Sequence, residues 1–503
     1  MSKFHGKLAS LTFLDPACGC GNFLVISYRE LRLLELEILE FLVGTDELKF
    51  DVRTWIKVNV NQFYGIEIEE FPAQIAQVAL WLVDHQMNLL VRERFGTYFA
   101  RIPLTSSASI HHANALAIDW ESVIKRTELS YILGNPPFLG KKEQSPQQKH
   151  ELETVYQNMK GCGVLDYVTC WYKKAARYIQ GTEIEVAFVS TNSICQGEQV
   201  PILWPELMNK HNIKLNFVHQ TFRWSNEARG KAAVHCVIIG FSMNDREVKK
   251  IYHYTDIAGQ PVETIVNQVN AYLVNAPTVF IDSRSEPICK VPTMAYGSMP
   301  IDDGHLILSE EEADVFIKKE PETKEMIRHY YGGEEFINNK KRFCLWLVDI
   351  SPSQINKSKL VKDRIEKTRA FRETSKRGAT NKLAVTPSMF GEIRQPKNDY
   401  LLIPKVSSEK RLYIPIGFMK PEKITNGSAL IIPNAGLYEF GILTSVMHMA
   451  WMRCICGRMK SDYQYSASLV YNNFPWPTPN KKQKIAITDA AQAILGRVPT
   501  MKS

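Results

Sequence analysis

Among the residues of this chain suited to chemistry, Asn135-Pro136-Pro137-Phe138 stand out. Two consecutive prolines supply no backbone N–H and press the residues before them toward extended geometry, so the loop is stiff. It carries one amide and one aromatic ring. It also follows the apolar run Tyr131-Ile132-Leu133-Gly134, which reads as a short buried strand ending in a breaker. The exocyclic amine of adenine or cytosine is a poor nucleophile, because its lone pair is delocalised into the ring. If the Asn135 side-chain oxygen and the Pro136 carbonyl accept its two hydrogens, the nitrogen is biased toward a tetrahedral shape and the lone pair is localised. Phe138 can stack on the base and hold it in line with an activated methyl group. Such a site works by positioning and fixed dipoles and needs no strong base. By chance alone a match of this kind arises roughly once in fifty chains of about 500 residues, so it needs a companion.

The companion lies near the amino terminus. Leu11–Leu14 reads as a buried strand, and Asp15-Pro16-Ala17-Cys18-Gly19-Cys20-Gly21-Asn22-Phe23 follows it directly. From Leu24 to Leu42 the chain is rich in Leu, Ile and Glu at helical spacing. Strand, glycine turn and helix in that order form the cofactor end of a Rossmann-like unit. Gly19 and Gly21 let the backbone approach a ligand, and Asp15 offers a carboxylate to a cationic ammonium. The third glycine of a dinucleotide fingerprint is missing, which argues against a pyrophosphate. Phe63–Ile68 reads as a second strand ending at Glu67, an acid suited to both ribose hydroxyls of an adenosyl group. Thr45 to Gln62, between them, reads as an inserted excursion. Asn114, after a strand signal at Ser109–His112, is a candidate for the cofactor's adenine or else a plain turn residue.

The order DPACGCGNF, GIEIE, NAL, NPPF resembles that of the amino-group DNA methyltransferases that use S-adenosylmethionine. The resemblance assigns Asp15, Gly19 and Gly21 to the methionine end, Glu67 to the ribose and Asn114 to the adenine; Ala17 and Ile68 complete the expected cofactor set. It assigns Asn135, Pro136 and Phe138 to a flipped target base. NPPF implies adenine N6 as the acceptor, since N4-cytosine enzymes more often carry Ser-Pro-Pro. Ala187–Ser193 resembles the next strand and its loop, and Gln220–Phe241 the aromatic loop and final hairpin. Phe222 there is a candidate wall of the base pocket, or a core aromatic. A closer resemblance is to the methyltransferase and recognition parts of type IIL single-chain restriction–modification enzymes, the MmeI-like group. It is carried by the strings starting at Phe222 (FRWSNEARGKA), Pro404 (PKVSSEKRLYIP) and Tyr471 (YNNFPWP). Those enzymes carry an amino-terminal nuclease and a helical spacer; here only Met1–Ser10 precede the first strand, so a fragment or derivative is expected. Glu247-Val-Lys249 and Glu322-Thr-Lys324 match the short Glu-x-Lys pattern of nucleases but read as solvated charge.

The expected fold is α/β: a Rossmann-like methyltransferase domain with a mixed seven-stranded sheet over residues 1–245, then a connector over 246–300. An α+β target-recognition domain over 301–435 and a small helical carboxyl-terminal region over 436–503 complete it. With 503 residues and 45% hydrophobic content, the chain can bury several cores. No apolar run reaches transmembrane length, and the ten cysteines lack zinc spacing, so a reduced, cytoplasmic protein without metal is expected. The net charge of +8 is modest, but basic residues concentrate in Lys357–Lys382 and just beyond. Arg364, Arg369, Arg372, Arg377 and Arg394 are the candidates for contact with double-stranded DNA. Lys141–Lys149 reads as a mobile flap beside the base or an exposed loop. A monomer is expected, with a nuclease either fused in the parent or acting as a partner. The rival functions are N4-cytosine transfer, transfer to RNA or to protein glutamine, and a DNA-binding remnant with an impaired cofactor pocket.

Overall fold

The computed structural model describes residues 2–43, 55–96, 108–224, 234–459 and 461–497. It forms two compact units, Met1–Phe280 and Ile281–Ser503. The first is built on one sheet. Its strands are β1 (Phe13–Asp15), β2 (Phe63–Glu67), β3 (Ser109–His112), β4 (Tyr131–Gly134), β5 (Glu185–Thr191), β6 (Lys214–Trp224), β7 (Val234–Ser242), β8 (Lys249–His253) and β9 (Val262–Val266). They are ordered β3-β2-β1-β4-β5-β7-β6-β8-β9. The first five run parallel, and β7 is antiparallel to both neighbours.

The central strands are short continuous apolar runs because both faces of the sheet are covered. Phe13 and Phe63 enter one buried cluster with Leu24, Tyr28, Ala76 and Leu80 from helices α2 (Asn22–Val43) and α3 (Glu70–Phe95). Leu14, Ile66 and Ile132 point the other way, into a cluster with Leu152 of α4 (Pro146–Val155) and Trp171 and Tyr172 of α5 (Thr169–Tyr178). The first helix, α1 (Ser2–Ser10), is tied in by a buried polar network. Its His5 bonds Glu35 Oε1 at 2.9 Å, and that oxygen also accepts the N–H groups of Lys57 (2.7 Å) and Val58 (3.0 Å). Arg32 of α2 reaches Asp84 (3.2 Å) and Asn88 (3.1 Å) of α3.

Two features correct the expected fold. The sheet has nine strands rather than seven, because β8 and β9 extend it inside the stretch read as a connector. β8 pairs in parallel with the outer edge of β6, whose backbone groups would otherwise lie unpaired, and β9 closes on β8. Their side chains gave little signal: in β9 every residue before Val266 is exposed. The carboxyl-terminal region is also not purely helical. Gly457–Met459 and Asp462–Gln464 form a hairpin that pairs with Val406–Ser407. One buried cluster joins Leu401, Ile403 and Leu430 to Phe440, Trp476 and Ala491.

Candidate active site

The strand order reverses between β1 and β4, and open α/β sheets bind ligands in the crevice beyond the carboxyl ends of the strands at such a point. Asp15 ends β1 with its carboxyl buried. Oδ1 accepts the Ala17 N–H at 3.0 Å, whereas Oδ2 is buried without a partner. Burial pushes its pKa up to about 7, opposed by the Ala17 bond and reinforced by the charge of Glu67. Gly134 ends the neighbouring β4, and a Cβ there would stand 2.5 Å from Asp15 Oδ1. Only glycine lets the strand leading to Asn135 pass this close to the carboxylate.

The turn after β1 folds back onto β2. Gly19 donates its N–H to Glu67 Oε2 at 2.9 Å, and Glu69 donates to Glu67 Oε1 at 3.0 Å. Each oxygen keeps a lone pair for a ligand hydroxyl. Gly21 has φ +84°, and a Cβ on it would meet Ala76 Cβ of α3 at 3.0 Å, so the turn requires glycine twice over. Ala17 is half-buried against the core, while Ile68 is 53% exposed. The Asn114 side chain is engaged at both ends: its oxygen accepts Leu116 N–H (2.9 Å) and its amide donates to Glu151 (2.8 Å). One amide hydrogen of Asn114 remains for a ligand.

In the proline loop, Asn135 Oδ1 is buried and has no hydrogen-bond partner among the described residues. Pro136 is buried, Pro137 is exposed and Phe138 is half-buried, packed against the core. The Lys141–Lys149 stretch is anchored rather than loose. Gln144 is 5% exposed and bonds the carbonyls of Leu139 and Leu165, and Ser145 with Gln148 forms the capping box of α4. Thr191 of β5 and Phe222 of β6 both pair with Cys236, so Phe222 lies at the same carboxyl edge of the sheet as Asn135. It stacks on Tyr254 with centroids 5.3 Å apart and meets the His219 ring edge-on. The rest of the string it begins, Ser225 to Ala232, lies outside the described residues.

Sequence reasoning missed Gly134 and a set behind the loop, Gln144, Asp166 and Trp171. A lone acid inside the run Val164-Leu165-Asp166-Tyr167-Val168 was the available signal, since a charge in an apolar stretch must find partners.

The basic candidates of the second unit differ among themselves. On the helix Lys359–Glu373, Arg364 pairs with Glu312 and lies over the Phe316 ring, and Arg369 pairs with Glu366 at 3.4 Å. Arg377 is exposed, and Arg394 pairs with Glu392 while remaining partly open. Arg372 is a correction. It is fully buried and donates to the carbonyls of Pro300, Ile301, Leu383, Thr386 and Met389 at 2.8–3.0 Å. No donor remains for a phosphate; its role is to hold those loops to the helix.

Residues 1–253 match the family model for the MmeI DNA-methyltransferase domain, and residues 275–478 match the MmeI target recognition domain. The chain belongs to the MmeI family. It is 39% identical over 492 residues to DNA methyltransferase A of Bacillus subtilis (strain 168), covering 97% of this chain and 55% of that protein. It also superposes, with a TM-score of 0.91 and 53% identity, on the type IIL restriction-modification enzyme MmeI solved in complex with DNA. That match covers 98% of this chain and 66% of that one. A shorter match, 29% over 82 residues, is to a putative type II restriction enzyme and methyltransferase of Methanocaldococcus jannaschii. The chain therefore spans little more than half the length of DNA methyltransferase A. Two MmeI-family models fall on the two compact units, so the crevice of Asp15 and Asn135 lies in the part matched as methyltransferase.

Proposed function

We propose that this chain is a site-specific DNA methyltransferase acting on adenine N6 in duplex DNA, with S-adenosylmethionine as methyl donor, within or derived from a restriction–modification system. One observation carries the reading: a buried acceptor with no partner among the described residues, Asn135 Oδ1, stands on a proline-locked loop whose strand packs against the carboxyl of Asp15, and Asp15 Oδ2 is a second such acceptor. Buried polar groups are normally satisfied, and an open pair in a crevice marks where a ligand completes them.

The residues present fit the donor molecule. Asp15 Oδ2 would take its cationic ammonium, Glu67 the two ribose hydroxyls and the spare Asn114 amide hydrogen its adenine ring. Bound there, S-adenosylmethionine supplies an electrophilic methyl group. The remaining work falls to the chain. A target base is unstacked from the duplex; Phe138 holds it by stacking, with Phe222 as a further wall. Asn135 Oδ1 and the Pro136 carbonyl accept the amine hydrogens, which aims the nitrogen lone pair, and the surplus proton leaves to solvent. Exposed cations of the second unit, Arg369, Arg377 and Arg394 with Arg364 beside them, serve as phosphate contacts. This chemistry places the protein with DNA in the cytoplasm, and no described helix is long and apolar enough to cross a membrane.

Incubation with unmethylated plasmid and S-adenosylmethionine, followed by nucleoside mass spectrometry, tests the proposal. N6-methyladenine is the expected product. N4-methylcytosine would keep the mechanism and change the base. No modified base, from protein that binds both cofactor and DNA, would overturn it.

A further inference from the structure

The chain just past the proline loop is tied down by residues to which the transfer chemistry gives no role. Leu139, next to Phe138, donates its N–H to Asp166 Oδ1 at 3.0 Å, and the same oxygen accepts the Val168 N–H at 3.1 Å. The Leu139 carbonyl accepts the Tyr167 N–H at 3.0 Å and the Gln144 side-chain amide at 2.9 Å. Both backbone polar groups of Leu139 are therefore held by the segment 165–168 and by Gln144, which itself binds the Leu165 carbonyl at 3.0 Å. Asp166 is 4% exposed, and its own N–H is fixed by Gln199 Oε1 at 2.8 Å. The helix that follows this segment reaches the turn after β1: Trp171 Nε1 donates to the Pro16 carbonyl at 3.0 Å, one residue past Asp15.

We propose that Asp166 is a positioning residue for the transfer reaction, fixing Leu139 and through it the aim of Asn135 and Phe138 relative to the turn of Asp15. The inference rests on the methyltransferase reading above. A carboxylate suits the task, because one charged oxygen accepts both N–H groups and hydrogen bonds to an ionised acceptor are stronger than neutral ones. Precision matters because displacing a reacting group by about 1 Å costs on the order of 100-fold in rate.

The test compares Asp166→Ala with Asp166→Asn, which keeps a side-chain oxygen at the same place. Single-turnover methylation of plasmid at saturating S-adenosylmethionine is measured beside cofactor affinity and deuterium exchange at the Leu139 amide. Asp166→Ala is expected to slow transfer roughly 10- to 100-fold, with cofactor affinity changed by less than about threefold. Leu139 exchange should accelerate, and Asp166→Asn should recover most of both losses. If Asp166→Ala does not fold, Gln144→Ala removes only the bonds to the Leu139 and Leu165 carbonyls and is expected to slow transfer at unchanged cofactor affinity. Full-rate transfer by the folded variants overturns the inference. So does parallel loss of cofactor binding, transfer and melting temperature without recovery by Asn, which is the mark of a general structural role. Absence of transfer by the unaltered protein, by contrast, fells the functional reading itself and this inference with it.

Discussion

Arg372 in the second unit and Asn135 in the first are both polar groups withdrawn from water, and their surroundings are opposite. Arg372 gives every donor direction to a backbone carbonyl, five bonds in all. Asn135 Oδ1 has no partner, and neither does Asp15 Oδ2 on the strand beside it. Burial alone therefore does not separate the two; saturation taken together with a place at the carboxyl ends of adjacent parallel strands does. A satisfied buried charge holds loops together, whereas on the proposed reading the open acceptors at these two strand ends are completed by cofactor and base.

Substitutions can break that contrast. Asn135→Ala should lower methyl transfer by roughly 10²–10³-fold, the loss seen when one positioned dipole is removed from a reacting centre. Cofactor affinity and melting temperature should hold, as single-turnover methylation, calorimetric titration and thermal unfolding would show. A large drop in stability would place Asn135 with Arg372 and end the distinction. Arg372→Met should show the reverse: about 3 kcal/mol or more of stability lost in denaturant unfolding, because five part-buried carbonyls lose their donor.

Asp15 sharpens the comparison through pH. Its folded pKa is raised to about 7, so between the ordinary carboxylate range and about 7 the folded state holds a proton that the unfolded state has released. Stability of the unliganded protein contributed by this group therefore falls as pH rises through that window. Cofactor affinity should move oppositely, since a cationic ammonium favours the carboxylate. Affinity should rise from about pH 6 to about pH 8 with proton release on binding. Titrations in buffers of different ionisation heat would detect it, and Asp15→Asn should flatten the profile. The smallest effect is expected at Arg377, which is exposed. Arg377→Ala should leave stability unchanged, weaken DNA binding a few-fold and lower the salt slope of log affinity by about 1. An unchanged slope would remove it from the DNA-contacting set.

Much of the candidate site could be proposed from sequence because its signals are local. Strand, glycine turn and acid lie within a dozen residues around Asp15, and the same holds for the proline loop. Other features were visible only in hindsight. Arg372 falls on the buried stripe Val361, Ile365, Thr368, Arg372 of its helix, at helical spacing, yet among the basic residues of Lys357–Lys382 its charge read as a contact for DNA. β9 has no apolar alternation to read, since it is defined by edge pairing of backbone groups that every residue carries.

The sequence by itself determined which side chains can do the chemistry, and that their strands end in turns of glycine and proline, because backbone restriction is a property of neighbouring residues. It also determined the match to the MmeI family. Tertiary structure alone decided which polar atoms are left open. Gly134 meets the Asp15 carboxylate across 119 positions of chain, and Leu139 meets Asp166 across 27. Hydrogen-bond saturation depends on what packs against a group, and no local pattern encodes that.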